Sequence, residues 1–254
     1  MEFIDFENEP LEGIFALIYG DSGSGKTHLV ATLADLGYVL IVDSDKGRRT
    51  VQRAKELEPY WPNIEITSFD KFTDLEGLRK LCTKNDPAEW TKALGLQSRP
   101  LTRKFDWVVI DTWTEVQWIM MQKLRNEKGL GGGENESLAY RKNIEIQHWG
   151  MLTDLNKMAV EAFKDISKHG LNIVFTMQES VIKDEITGLT VKGPAIHGKL
   201  VKELPAYFEV VVHTYNDIQG NWCATTLPKQ GWPAKTRLGK GAEYKNPKAK
   251  EIFG

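Results

Sequence analysis

The stretch Ile14-Phe-Ala-Leu-Ile-Tyr-Gly20-Asp-Ser-Gly-Ser-Gly25-Lys26-Thr27 decides how the rest of this 254-residue chain is read. Its first five residues are largely apolar and read as a buried strand. They run into Gly20-x4-Gly25-Lys26-Thr27, the spacing of a phosphate-binding loop. Leu29, Val30, Leu33 and Leu36 then recur at helical spacing, and Gly37 supplies a stop. The residue types fit that assignment. Gly20, Gly23 and Gly25 allow the backbone to wrap closely around phosphates. With Asp21, Ser22 and Ser24 between them, and His28 after the hydroxyl, they form a run whose amides face an anion at a helix start. Lys26 adds a mobile charge for β- and γ-phosphates, and the Thr27 hydroxyl can ligate Mg²⁺. A strand before and a helix after are the context this motif requires, so a nucleoside triphosphate ligand is expected, with ATP and Mg²⁺ as its cofactors.

The composition sets the frame. At 254 residues the chain suits one large α/β domain or a domain with a small appendage, and 41% hydrophobic with 27% charged residues is ordinary for a globular protein with a sizeable core. Two cysteines, Cys82 and Cys223, give no disulfide framework and fit a reducing compartment. Residues 1–10 are acidic where a secretory signal needs positive charge, and no apolar run is long enough to span a membrane. A cytoplasmic protein without membrane contact is therefore expected. The net charge of −2 hides an asymmetry. Residues 229–254 hold seven Lys/Arg against two Glu, a net +5 that leaves −7 elsewhere, and this stretch reads as a basic C-terminal tail.

Further strands are expected at 38–42, 64–68, 105–111, 171–176, 208–213 and 221–226, with a hairpin over 181–191 around Thr187-Gly188. Helical patterns lie at 46–57, 74–81, 112–128 and in a long amphipathic run ending at Gly170. Pro59 and Pro62 are expected to break the chain, and residues 83–104 to form a peripheral insertion with a short helix between Pro87 and Pro100. Alternating strands and helices predict a mostly parallel, doubly wound sheet with helices on both faces and an antiparallel hairpin extension near the C-terminus. Ligands of such a sheet bind beyond the carboxyl ends of the strands, where Lys26, Asp45, Asp111 and Gln178 all fall.

Asp111, at the end of an apolar strand downstream of the loop, fits the carboxylate that holds Mg²⁺ with Thr27. Many ring-forming ATPases place a catalytic Glu directly after that Asp; here the position is Thr112. A water-activating carboxylate must then come from elsewhere, and Asp43 and Asp45 at the second strand's tip are the candidates. Gln178 has a neutral amide suited to sensing a γ-phosphate.

In this order the motifs resemble those of the RecA-type P-loop ATPases, and in size most closely the short phage-encoded RecA-like proteins associated with single-strand annealing. The likeness spans residues 13–237. It rests on the phosphate loop, the Asp43-Ser-Asp45 strand end, the strand–helix pair over 64–81, the strand ending Ile110-Asp111-Thr112, and the strand leading to Gln178. The resemblance implies a RecA-like core in a bacterial cytoplasm, with Asp45 at the position of the catalytic acid (usually Glu). It puts Gln178 at the residue that couples phosphate state to DNA. It implies two DNA-contacting segments, over 123–142 and 179–200. These carry Lys123, Arg125, Lys128, Arg141 and Lys142, and then Lys183, Lys192 and Lys199, with Lys202 at the edge. Such contacts would meet phosphates of single-stranded DNA in a sequence-tolerant, salt-sensitive way. Lys235-Thr-Arg237 matches the paired basic fingers that one subunit of such assemblies inserts into a neighbour's ATP site, which implies a homo-oligomer, ring or filament. A single-stranded DNA-binding protein is a further partner implied.

Thr83-Lys-Asn-Asp86 spells a guanine-recognition pattern in the wrong order for a GTPase, and the five histidines show no metal spacing. The expected activity is a DNA-dependent ATPase with its site shared between subunits. A small-molecule kinase or a nucleotide-gated assembly module are the alternatives.

Overall fold

The computed structural model describes residues 11–127, 146–183, 188, 190–198, 200–229 and 231–254. Five parallel strands form the centre: β1 (Phe15–Gly20), β2 (Val39–Asp43), β3 (Ile64–Ser68), β4 (Trp107–Asp111) and β5 (Asn172–Lys183). Next to β1 lies β7 (Val210–Asn216), also parallel, followed by antiparallel β8 (Trp222–Thr225) and β9 (Glu243–Lys245). The order across the sheet is β3-β2-β4-β5-β1-β7-β8-β9, and β6 (Thr190–Pro194) pairs antiparallel with the outer half of β5. The doubly wound α/β architecture with antiparallel C-terminal strands is thus the one expected.

Alternation along the strands divides the core, because successive side chains point to opposite faces. Phe15, Leu17 and Tyr19 face a layer built by α3 (Phe72–Lys84), α5 (Trp113–Glu127) and α6 (Ile146–Ser167). There Trp113 stacks on Phe175 at 4.3 Å between ring centroids. Ala16 and Ile18 face the other layer, where α1 (Lys26–Ala31), continued by a 3₁₀ turn to Asp35, supplies Leu29, Val30 and Leu33. Full burial of each such side chain contributes roughly 1.5–3 kcal/mol. No helix among the described residues is long and apolar enough to cross a membrane.

Four expectations change. Pro59 and Pro62 do not break the chain; they sit inside a 3₁₀ segment, Lys55–Asn63, whose backbone suits the fixed φ of proline. Residues 83–104 are tied into the core, since the helix α4 (Pro87–Ala93) buries Trp90 edge-on against Phe105. The fifth strand does not stop at Thr176. It continues through Gln178 because its outer half leaves the parallel sheet to pair with β6, Glu179 opposite Pro194 and Ile182 opposite Val191. Lastly, residues 229–254 fold back onto the domain, with Lys235 bridging to Val211 in β7. A terminal helix α8 (Ala249–Phe253), after the short α2 (Arg48–Arg53) and α7 (Leu200–Glu203), buries Ala249, Ile252 and Phe253.

Candidate functional site

Because β1, β2, β4 and β5 run parallel, their carboxyl ends meet at one edge, with Gly20 beside Gln178 and Asp43 beside Asp111. The loop leaving β1 is braced on β7: Ser24 Oγ and Thr214 Oγ1 share a 2.7 Å hydrogen bond. A Cβ at Gly20 would lie 2.1 Å from the Thr214 carbonyl oxygen, so glycine is required there by strand packing as well as by any ligand. Lys26 is buried, and its ammonium donates to the carbonyls of Gly20 and Asp21 at 2.8 Å each. Burial pulls its pKa down, while Asp111, Asp21, Asp45 and Glu179 oppose that shift. An anion entering the loop would offer the ammonium a full charge in place of carbonyl dipoles.

Asp111 is buried at the tip of β4. Thr27 Oγ1 donates to its Oδ2 at 2.8 Å and Thr176 Oγ1 to its Oδ1 at 2.5 Å. Burial pushes its carboxyl pKa up, and these two hydrogen bonds act against that. A Cβ on Gly47 would lie 2.7 Å from Asp111 Oδ2 and 3.3 Å from Thr27 Oγ1, so the space over this pair is kept clear by the absence of a side chain. A buried carboxylate and a hydroxyl under an open space are hard oxygen donors of the kind Mg²⁺ takes alongside phosphate oxygens and water. Among the described residues no group of three or more His, Cys, Asp or Glu could hold a metal. The donor set therefore fits an ion that arrives with a phosphate ligand and does not fit a closed protein cage.

The two acidic candidates at the tip of β2 separate cleanly. Asp43 is buried, and its carboxylate accepts from the backbone amides of Gly47 at 2.7 Å, Asp45 at 3.2 Å and Arg48 at 3.2 Å. It holds the turn. Asp45 is exposed and lines the cleft with Lys26, Thr27, Asp111, Thr112 and Gln178. That cleft measures about 360 Å³, within the range of small-molecule sites. A larger groove of about 600 Å³ between α3, α5 and α6 is mainly apolar and lies away from the loop. Ser44 hydrogen bonds to the Asp111 and Thr112 backbone and joins the tips of β2 and β4. Gln178 is anchored by its backbone N–H, which donates to Thr114 Oγ1 at 3.0 Å, and the residue lines the cleft.

Other candidates lie elsewhere. Lys235 and Arg237 run along the amino-terminal end of β7, where Lys235 pairs with Val211 and the Arg237 amide reaches the Glu209 carbonyl. That is the opposite end of the strand from Thr214, so they do not approach this chain's own loop. Arg125 is only 5% exposed, so its guanidinium is not a surface cation. Lys123 lies 3.7 Å over the Phe72 ring, and Lys192 is bound to Glu179 at 2.8 Å. Lys128, Arg141, Lys142 and Lys199 fall outside the described residues, as does the side chain of Lys183. Sequence reasoning missed Thr176, Gly47, Thr50 and Trp222. The last three line the cleft, and Thr176 braces Asp111 from beneath. A hydroxyl at the end of an otherwise apolar run was the available signal for Thr176; Trp222 carried none.

No curated protein matches the chain. A family model described as AAA domain matches residues 12–238, a span that holds the phosphate loop, Asp45, Asp111 and Gln178. The chain belongs to that AAA domain family and is, accordingly, a P-loop, nucleotide-binding ATPase.

Proposed function

We propose that this protein is a RecA-like ATPase that hydrolyses ATP at the cleft formed by the tips of β1, β2, β4 and β5 and couples hydrolysis to single-stranded DNA. The supporting observation is the convergence of Lys26, Thr27, Asp111, Asp45 and Gln178 on one cleft from four separate strands. Lys26 would bind the β- and γ-phosphates while the loop amides orient them. Thr27 Oγ1 and an Asp111 oxygen would hold Mg²⁺, which supplies neutralising charge to the phosphate oxygens when bound. Asp45, exposed and facing the cleft, would accept the proton of the attacking water; Asp43 is unsuited, since its oxygens already hold three backbone amides. Gln178 continues directly into the β5–β6 ribbon, so a contact between its amide and the terminal phosphate would pull on that ribbon. The DNA role and a subunit-shared site rest on the RecA-like motif order and on the place of Lys235 and Arg237 at the amino-terminal end of β7, away from their own loop.

Phosphate release measured with and without single-stranded DNA, at two salt concentrations, tests the reading. DNA should raise turnover, more at low salt. Unchanged turnover with no DNA binding removes the DNA part. Arg237→Ala subunits should bind ATP and hydrolyse it poorly, and mixing them with Lys26→Ala subunits should restore activity in part if the finger acts across subunits.

A further inference from the structure

The cleft has a polar end at Lys26 and Asp111 and an aromatic end that the phosphate chemistry leaves unused. Trp222 opens β8 opposite Asn216, two residues further along β7 than Thr214. Thr214 is level with Gly20. The indole therefore stands beyond the tip of β1, alongside the phosphate loop. A Cβ on Gly25, itself at φ +87°, would lie 3.1 Å from the indole Cγ, so loop and ring are in direct contact. The His28 ring lies 4.6 Å from the indole centroid at 48°, and its Nε2 is 3.5 Å from Glu56 Oε1. Both rings line the same cleft as Lys26 and Thr27. Trp222 is only half-buried and belongs to neither apolar core layer, while its carbonyl accepts from the Asn246 amide at 2.7 Å. Its backbone is fixed, and the half-exposed ring lines the cleft.

We propose that Trp222, with His28, is the platform on which the nucleobase of the bound triphosphate stacks, so that base recognition comes from the β7–β8 hairpin. The inference rests on the reading of the loop as a triphosphate site. Lys26 takes the β- and γ-phosphates, so the nucleoside end of the ligand points along 25–28, where both rings sit. Aromatic stacking needs only a flat π-face and tolerates different bases.

Calorimetric titration with magnesium-ATP and with magnesium-tripolyphosphate, which has no base, separates the two ends of the cleft. Wild-type protein should bind ATP about 10- to 100-fold more tightly than tripolyphosphate. Trp222→Leu, which keeps apolar bulk against Gly25 but no ring, should lose most of that preference while still binding tripolyphosphate. Trp222→Phe should keep most of it. A Trp222→Leu protein that retains the full preference overturns the platform. So does an equal loss of both ligands, which would mean that Trp222 shapes the loop. Wild-type protein that binds neither ligand breaks the triphosphate reading itself, and the platform falls with it.

Discussion

Two glycine-containing stretches that carry lysine, residues 20–27 and 229–254, are put to opposite uses by the fold. In the first, Lys26 is pulled inward over its own loop, and the backbone around it stays clear for a ligand. In the second, two of the seven cations are held in ion pairs: Lys229 pairs with Glu243, and Lys245 lies 3.7 Å from Asp217. Its apolar residues clamp the sheet, with Phe253 against Trp107 at 5.6 Å and the Ala249 amide on Thr32 Oγ1 at 2.8 Å. One stretch is a binding loop and the other a fastening. What differs is the neighbouring strand. The first stretch follows the carboxyl end of a central parallel strand and turns into a helix start; the second runs along β7 and β8, where β9 and the bridge at Lys235 take up backbone groups.

The comparison can be broken by substitution. Lys26→Ala should lower ATP hydrolysis by about 10²- to 10³-fold with little change in thermal midpoint, read by phosphate release and calorimetry. Phe253→Ala should do the reverse, costing about 3 kcal/mol in urea unfolding while the folded fraction still binds ATP. Equal effects on stability would erase the distinction between the stretches. Asp45→Asn should retain ATP binding and lose about 10²-fold in turnover, and an unaffected rate would remove Asp45 as the base.

The smallest expected effect lies in β7, between the strand that leads into the loop and the C-terminal stretch. His213 is buried between Tyr19 of β1 and Trp232 of the C-terminal stretch, at 4.9 and 4.7 Å between ring centroids. Burial holds its pKa below the ordinary value, although Glu179 opposes this. An unfolded histidine gains its proton near pH 6.5. Below that pH the unfolded chain binds more protons than the folded one, so stability falls as pH falls. Thermal midpoints at pH 7.5 and 5.5 should show this. The drop should shrink in His213→Gln, a comparison that separates His213 from Asp111, whose raised pKa acts with the opposite sign. An identical drop in both proteins would show that His213 is not its source.

The phosphate loop was legible because its chemistry is local: spacing, glycines and flanking apolar runs all lie within residues 14–36. Asp111 was legible for a similar reason, as a carboxylate ending an apolar strand. Asp43 and Asp45 were not separable, since both precede the same turn and only the placement of the 45–48 amides decides which oxygens are occupied. The C-terminal stretch read only as a basic tail because its buried residues, Ala249, Ile252 and Phe253, make only one turn of helix among lysines. Their apolar surface is explained by partners more than 100 residues away, such as Trp107 and Leu33.

By itself, then, the sequence determined the phosphate-binding loop, the parallel α/β sheet and the strand tips that carry polar residues, because each is written in short-range pattern. Only the tertiary structure decided which acid faces the cleft, that Thr176 and Gly47 shape the Asp111 site, that Trp222 stands beside the loop, and that Lys235 and Arg237 lie at the other end of β7. Those outcomes depend on register between strands distant in the chain, where a shift of one residue would turn each side chain to the other face of the sheet.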